Sequence, residues 1–262
     1  MISFYVSPTG SDDGNECLAQ AIPCRTIQNA VLRAMNDWDF AGRGDPIIRL
    51  APGTYETGAS VAGQPIGAHT INIVGQESDD AAQSCSLTQA QQVIVQAPAG
   101  RAAFDAQDLA IIVVRCLTVQ GGEGSLGFTC RQTPALDIAF VQFGAALGLT
   151  TGVSANDSCG LNLGGQIWIG NNLVQFLAAS NSSRITVGGN VPITAINPVS
   201  ITHFSNAAQM AQIEFREGVS ISGPIHATAQ SFVWRGGAII TNGLSIPGGT
   251  AQRDPKAPGY VY

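Results

Sequence analysis

From residue 45 onward the chain repeats one pattern: a short apolar, β-branched run, a few residues of Gly, Asn, Pro or Ser, then another run. The clearest runs (47–50, 70–74, 93–96, 110–114, 136–140, 161–169 and 184–187) have centres stepping by roughly 20–25 residues, a solenoid-like period. Further runs follow at 199–203, 212–215, 219–222, 231–234 and 238–241. No helical pattern separates them, which excludes a doubly wound β-α-β sheet. Several runs are apolar on both faces, as for parallel strands packed on either side. The expected fold class is all-β: a parallel β-helix, a solenoid whose inward side chains stack from coil to coil.

Such a winding needs left-handed backbone at its corners, which Gly and Asn adopt and β-branched residues do not. Asn171-Asn172, Gly188-Gly189-Asn190 and Asn242-Gly243 are the expected corners. A solenoid also leaves an open apolar end with unpaired strand edges. One amphipathic helix, from about 26 to 38, is available to cover it. Its stripe is Ile27, Ala30, Val31, Ala34 and Trp38, with Thr26 as N-cap and Gly42 and Gly44 beyond its end. The organisation read from this is an N-terminal strand, polar loop and capping helix over 1–45, the β-helix over 46–250, and an extended Pro/Gly-rich tail over 251–262 that packs on a neighbour or stays mobile.

Charged residues make up 11% of the chain, against roughly 25% in an average soluble domain. The 13 Asn and 19 Gln outnumber the 12 Lys and Arg and 18 Asp and Glu together, which suits amide ladders between coils. A net charge of −6 with a single Lys, Lys256, excludes an electrostatic nucleic-acid binder and a basic membrane-surface helix. With 45% hydrophobic residues the chain can build a real core.

The first residues, Met1 to Val6, carry neither a basic region nor a long apolar stretch, so no secretory signal is expected. No run nears about 18 apolar residues, so no membrane insertion is expected. The six cysteines permit disulfides. Cys17 and Cys24, close together in a polar loop, are the expected bonded pair; their spacing does not suit a paired zinc site, and no metal or other cofactor is expected. Cys116 and Cys159 read as buried free thiols acting as small apolar residues. The expected setting is a virion, outside the cell after host lysis, a route open to a protein without a signal.

Two local patterns resemble a known family. The segment Phe4-Tyr5-Val6-Ser7-Pro8-Thr9-Gly10-Ser11-Asp12, with Cys17 and then Pro23-Cys24-Arg25-Thr26-Ile27-Gln28-Asn29-Ala30-Val31, looks like the start of pectate-lyase-like right-handed parallel β-helix proteins. Ile48-Arg49-Leu50-Ala51-Pro52-Gly53-Thr54-Tyr55 resembles the first coil of that family. The resemblance implies a right-handed winding. It also implies one of two settings: extracellular polysaccharide-active enzymes, or homotrimeric spikes of tailed phages and phage-like gene transfer particles. Small size, low charge and the missing signal favour the virion setting.

An enzyme of this class needs two carboxylates about a glycosidic bond, or a base with a calcium-binding carboxylate cluster. The polygalacturonase-type pieces that the resemblance suggests (Asn-Thr-Asp, Asp-Asp, Gly-His-Gly, Arg-Ile-Lys) are incomplete: Asp79-Asp80 lies in a loop, His69, His203 and His226 lack flanking glycines, and Arg184-Ile185 is followed by Thr186. The remaining catalytic candidates are Asp105 and Asp108, three apart and able to face one groove, and Glu214. Asp105 and Asp108 equally suit solvated turns. Glu214 and Arg216 share a strand face, so a surface ion pair is the plain alternative to a catalytic acid with Arg216 orienting substrate. Asp137 and Asp157 suit either corner caps or groove residues. Trp168 and Trp234 lie on strands and are candidate stacking platforms for sugar rings, with burial as the plain alternative.

The function expected is a non-enzymatic, homotrimeric spike or fibre subunit of a phage or phage-like particle, attached to other virion structural proteins and touching host cell-surface glycans. The alternatives are a polysaccharide depolymerase (lyase or glycoside hydrolase) on the same scaffold and a purely structural spike or connector module.

Overall fold

A computed structural model of the chain describes residues 2–75, 84–132, 135–229, 231–248, 252–253 and 260–261. Asp79-Asp80 and Lys256 lie outside them. The structure is an all-β solenoid of about seven turns in which every strand pairing between coils is parallel. Among the described residues the strands form two hydrogen-bonded sheets, one of 14 strands and one of nine.

The larger sheet makes two faces. The first runs through Ser3–Val6, Ile47–Leu50 and Ile71–Gly75 into the front halves of Ile111–Gly121, Ala135–Phe143 and Gly160–Ile169, then Arg184–Val187, Gln212–Phe215 and Ala238–Ile240. The back halves of the three long strands join Val93–Ala97 and Pro192–Ala195 in the second face. Each long strand bends at a left-handed residue: Cys116 (φ 58°), Phe140 (φ 55°) and Gly165 (φ 58°). Gly165 has no alternative here, since a Cβ would stand 2.7 Å from the Phe140 ring. The nine-stranded sheet is the third face, built on Ala59–Ala62, Ala102–Gln107, Leu126–Arg131, Leu149–Asn156, Leu173–Ala179 and Val199–Ala208. Gln252–Arg253 and Tyr260–Val261 add parallel to the third and first faces, so both pairs continue the winding.

Inward positions alternate with outward ones and are filled by Ile, Val, Leu and Ala. Down the axis runs a column of fully buried rings: Phe104, Phe128, Phe143, Phe176, Phe204 and Phe215, with successive centroids 5.2–6.4 Å apart.

The N-terminal helix spans Ile27–Asn36, capped by the Thr26 hydroxyl, which accepts from the Asn29 N–H at 3.2 Å. Ile27, Ala30, Val31 and Ala34 are buried against the first-coil strands, as a lid requires. A second, four-residue helix at Leu87–Ala90 sits outside the coils; its capping box, Ser86 with Gln89, was not anticipated. Asp12 fastens the polar loop to the lid: its carboxylate accepts from the Arg25 and Thr26 N–H groups and the Thr26 hydroxyl (2.8–3.1 Å). Burial pushes the Asp12 pKa up, but these hydrogen bonds outweigh it and the net shift is downward. The Tyr55 hydroxyl sits between the carbonyls of Val6 and Ala51 (3.0 and 2.8 Å), and burial holds its pKa well above the ordinary phenol range. Gly53 (φ 145°) must be Gly, because the Pro8 ring stands where its Cβ would be.

All six cysteines are paired. Cys17–Cys24 is as expected, but Cys116 and Cys159 are not free thiols. Cys116 bonds Cys85 and pins the 84–92 segment to the second face, while Cys159 bonds Cys130 and ties neighbouring coils together. Spacing along the chain hid both pairs, because only coil stacking brings residues 31 and 29 apart into reach.

Candidate functional site

The most distinctive geometry lies where the third face turns into the first. Coil after coil, this corner is made by non-Gly residues in left-handed conformation: Asp108-Leu109, Gln132, Asp157-Ser158, Asn181-Ser182, Gln209-Met210 and Arg235, with φ between 48° and 71°. The tight turns close locally, for example Ala110 N–H to Gln107 O (3.0 Å) and Ser183 N–H to Ser180 O (3.2 Å). They also bond to each other across coils: Leu109 N–H to Gln132 O, Gln132 N–H to Asp157 O, Ser158 N–H to Asn181 O, Ser182 N–H to Gln209 O and Met210 N–H to Arg235 O, at 2.9–3.2 Å. The Asn181 amide donates to Asp157 Oδ1 at 2.8 Å. The result is a rigid ladder of turns.

Along this ladder lies an open cleft of about 790 Å³ lined by Leu109, Gln132, Asp157, Ser158, Asn181, Ser182, Gln209 and Met210. Five coils contribute, and four steps of ~4.8 Å make the cleft ~19 Å long. Amides, hydroxyls and the Asp157 carboxylate fill its middle, while Leu109 (66% exposed) and Met210 (73%) mark its ends. Each such left-handed residue costs roughly 1–2 kcal/mol where Gly would cost nothing sterically; Asp and Asn cost less. The chain nonetheless places side chains there.

A second groove, of about 510 Å³, crosses the outer surface of the third face. Its middle row is Ser60, Asp105, Thr129 and Ser154, which are register partners on four successive strands. Arg101 stands at one end and Arg131 with Asn156 at the other. Arg131 donates to Asp105 Oδ2 at 2.9 Å, and Gln107 donates to the same oxygen.

The residues singled out from sequence fall as follows. Asp105 and Asp108 do not share a groove: Asp105 lies within the strand Ala102–Gln107, and Asp108 is exposed in the left-handed turn after it. Glu214 pairs with Arg184 of the preceding coil rather than with Arg216, which is exposed, because stacked coils offer a closer cation than the same strand does. Asp137 accepts from the Asn162 amide at 2.7 Å. Three register steps separate Asp137 from Glu214 (through Asn162 and Thr186), ~14 Å at ~4.8 Å each, wider than the ~5–9.5 Å between glycosidase carboxylates. Asp157 is both corner and cleft residue. Among the described residues no group of three or more His, Cys, Asp or Glu is placed to hold a metal ion.

Trp168 is no platform. It points outward from the second face but is 3% exposed, covered in a cluster with Cys85, Ala90 and Cys116 and flanked by Leu87, Phe140 and Ile196. Trp234 is half-buried, and the Arg235 guanidinium lies 3.9 Å over its ring. Of the expected corners, Asn190 and Asn242-Gly243 are left-handed. Asn171 and Asn172 are not; their side chains bridge coils instead, Asn171 donating to the Ala145 and Ala146 carbonyls and Asn172 accepting from the Ser200 N–H. The ladder itself was missed, since Leu, Met, Gln and Ser carry no left-handed signal; the polar pairs just beyond strands, Asp157-Ser158 and Asn181-Ser182, were the available clue.

No known protein-family profile matches the chain, and no curated protein matches it. Among solved structures the chain is similar to YbhC of Escherichia coli, at 11% identity and a TM-score of 0.45, over 99% of this chain and 83% of that one. A likeness this loose carries no argument about function.

Proposed function

We propose that the chain is an attachment subunit, a homotrimeric spike or fibre of a phage or phage-like particle that holds host cell-surface polysaccharide along the ladder of left-handed turns. One observation carries the reading: side chains occupy ten left-handed corner positions where glycine is the easier residue, and eight of the residues along that ladder line one cleft. An elongated, rigid groove of amides and hydroxyls around a single carboxylate, Asp157, suits an extended chain of sugars, which offers matching donors and acceptors at every unit. The N-terminal resemblance is to pectate-lyase-like β-helix proteins, of which virion spikes are one setting, and small size and low charge favour that one. The closure of all six cysteines in disulfides fits a protein working in an oxidising exterior. Three copies of a weak site would give the grip through avidity.

The test uses substitutions that keep the backbone while removing the side chain. Asn181→Gly with Gln209→Gly leaves the turns in their preferred conformation. The full chain is titrated against neutral capsular oligosaccharides by calorimetry, and its mass is taken by light scattering. The reading expects a trimer, measurable binding, at least ten-fold weaker binding in the double variant, and no shortening of the polysaccharide. Monomers, or unaltered binding in the variant, would refute it.

A further inference from the structure

The groove on the third face has a different chemistry from the turn cleft. In a chain of net charge −6, it gathers two guanidinium groups against one carboxylate. Asp105 is committed to Arg131, which fixes that guanidinium's position while leaving its side chain about half exposed. Arg101 is exposed and makes no side-chain ion pair among the described residues. The buried Asp105 Oδ1 has no hydrogen-bond partner among the described residues, while Oδ2 is held by Arg131 and Gln107. Between the two cations lie the hydroxyls of Thr129 and Ser154. Arg101 precedes one strand of this face and Arg131 ends the next, whose first residue, Leu126, donates its N–H to the Arg101 carbonyl. Ala102 is the register partner of Leu126 and Gln107 that of Arg131, so six residues of strand, ~20 Å, separate the two positions along the groove.

We propose that this groove is a second saccharide subsite, specific for an acidic glycan segment lying along the strand direction. Arg131, held in place by Asp105, takes one anionic group, and Arg101 takes another further along. The sugar hydroxyls between them meet Thr129 and Ser154. This rests on the glycan-attachment reading and adds to it a preference for anions that the turn cleft, whose one charged side chain is the Asp157 carboxylate, cannot supply. Guanidinium groups suit carboxylate and sulfate alike, because both present paired oxygens to the planar fork.

The experiment titrates the full chain with a hyaluronan hexasaccharide, its carboxyl-reduced neutral counterpart and a sulfated hexasaccharide. Wild type is expected to bind the acidic probes at least five-fold more tightly than the neutral one, with the difference shrinking as NaCl rises. Arg101→Gln, at an exposed position, should remove most of that preference and leave the neutral affinity unchanged; Arg131→Gln combined with Asp105→Asn should do the same. The carboxylate and sulfate arms tell which anion fits better. Equal acidic binding in wild type and Arg101→Gln overturns the subsite, as does its loss only in the Asn181→Gly, Gln209→Gly variant. If neither acidic nor neutral probes bind at all, the attachment reading fails as well, an outcome distinct from failure of the subsite alone.

Discussion

The side chain of Gln28 pairs with the backbone of Ser60 as a neighbouring strand would. The Ser60 N–H donates to Gln28 Oε1 at 2.8 Å, and Gln28 Nε2 donates to the Ser60 carbonyl at 3.1 Å. Ser60 lies in Ala59–Ala62, the terminal strand of the nine-stranded sheet. The lid helix therefore does more than cover apolar side chains. It supplies a surrogate amide where the sheet edge would otherwise invite another chain.

Gln28→Ala should remove both bonds and lower the unfolding free energy by about 1–2 kcal/mol, at about 1 kcal/mol per hydrogen bond. Chemical denaturation measures the loss, and light scattering at elevated temperature should show earlier association through the uncovered edge. An unchanged midpoint would mean that the amide adds nothing beyond the packing of the lid.

Asp12 makes the lid acid-sensitive. Its folded pKa lies below the ordinary value of 3.8, so the stabilisation is fully present above that value and is lost as pH falls through the depressed one. Between pH 5 and 2 the wild type should lose stability more steeply than Asp12→Asn, although the difference is moderated by the exposure of this carboxylate. Parallel urea titrations across that range check it.

Removing Cys130–Cys159 by a double Ser substitution should cost about 3–4 kcal/mol, the loop entropy for residues 29 apart. Removing Cys85–Cys116 should in addition loosen the 84–92 segment from the second face. Trp168 beneath it would then gain solvent, and its emission should move to longer wavelength, a change absent in a Trp168→Phe background.

Phe143 contacts the Phe128 and Phe176 rings at centroid distances of 5.7 and 5.5 Å in the middle of the axial column. Phe143→Ala should destabilise the fold by about 3–5 kcal/mol, the range for a large buried ring. A denaturant midpoint lowered by less than a third of that would mean that the column relaxes into the cavity.

The sequence by itself determined the periodic elements. The 20–25-residue recurrence, the Thr26 cap and the stripe from Ile27 to Ala34 depend on neighbours along the chain and stand in the structure, although the helix ends at Asn36 and leaves Trp38, the last residue of the expected stripe, beyond its C-cap. Asn190 and Asn242-Gly243 belong with them, because left-handed preference is local. What depended on stacking was decided only by the tertiary structure. Cys116 met Cys85, Cys159 met Cys130, and Glu214 met Arg184 because the pitch of the coil places residues about one turn apart side by side. Trp168 was covered by a segment that a distant disulfide holds down. Leu109, Gln132 and Met210 took left-handed backbone against their own preference, because the cross-coil hydrogen bonds of the ladder outweigh a local cost of roughly 1–2 kcal/mol per residue.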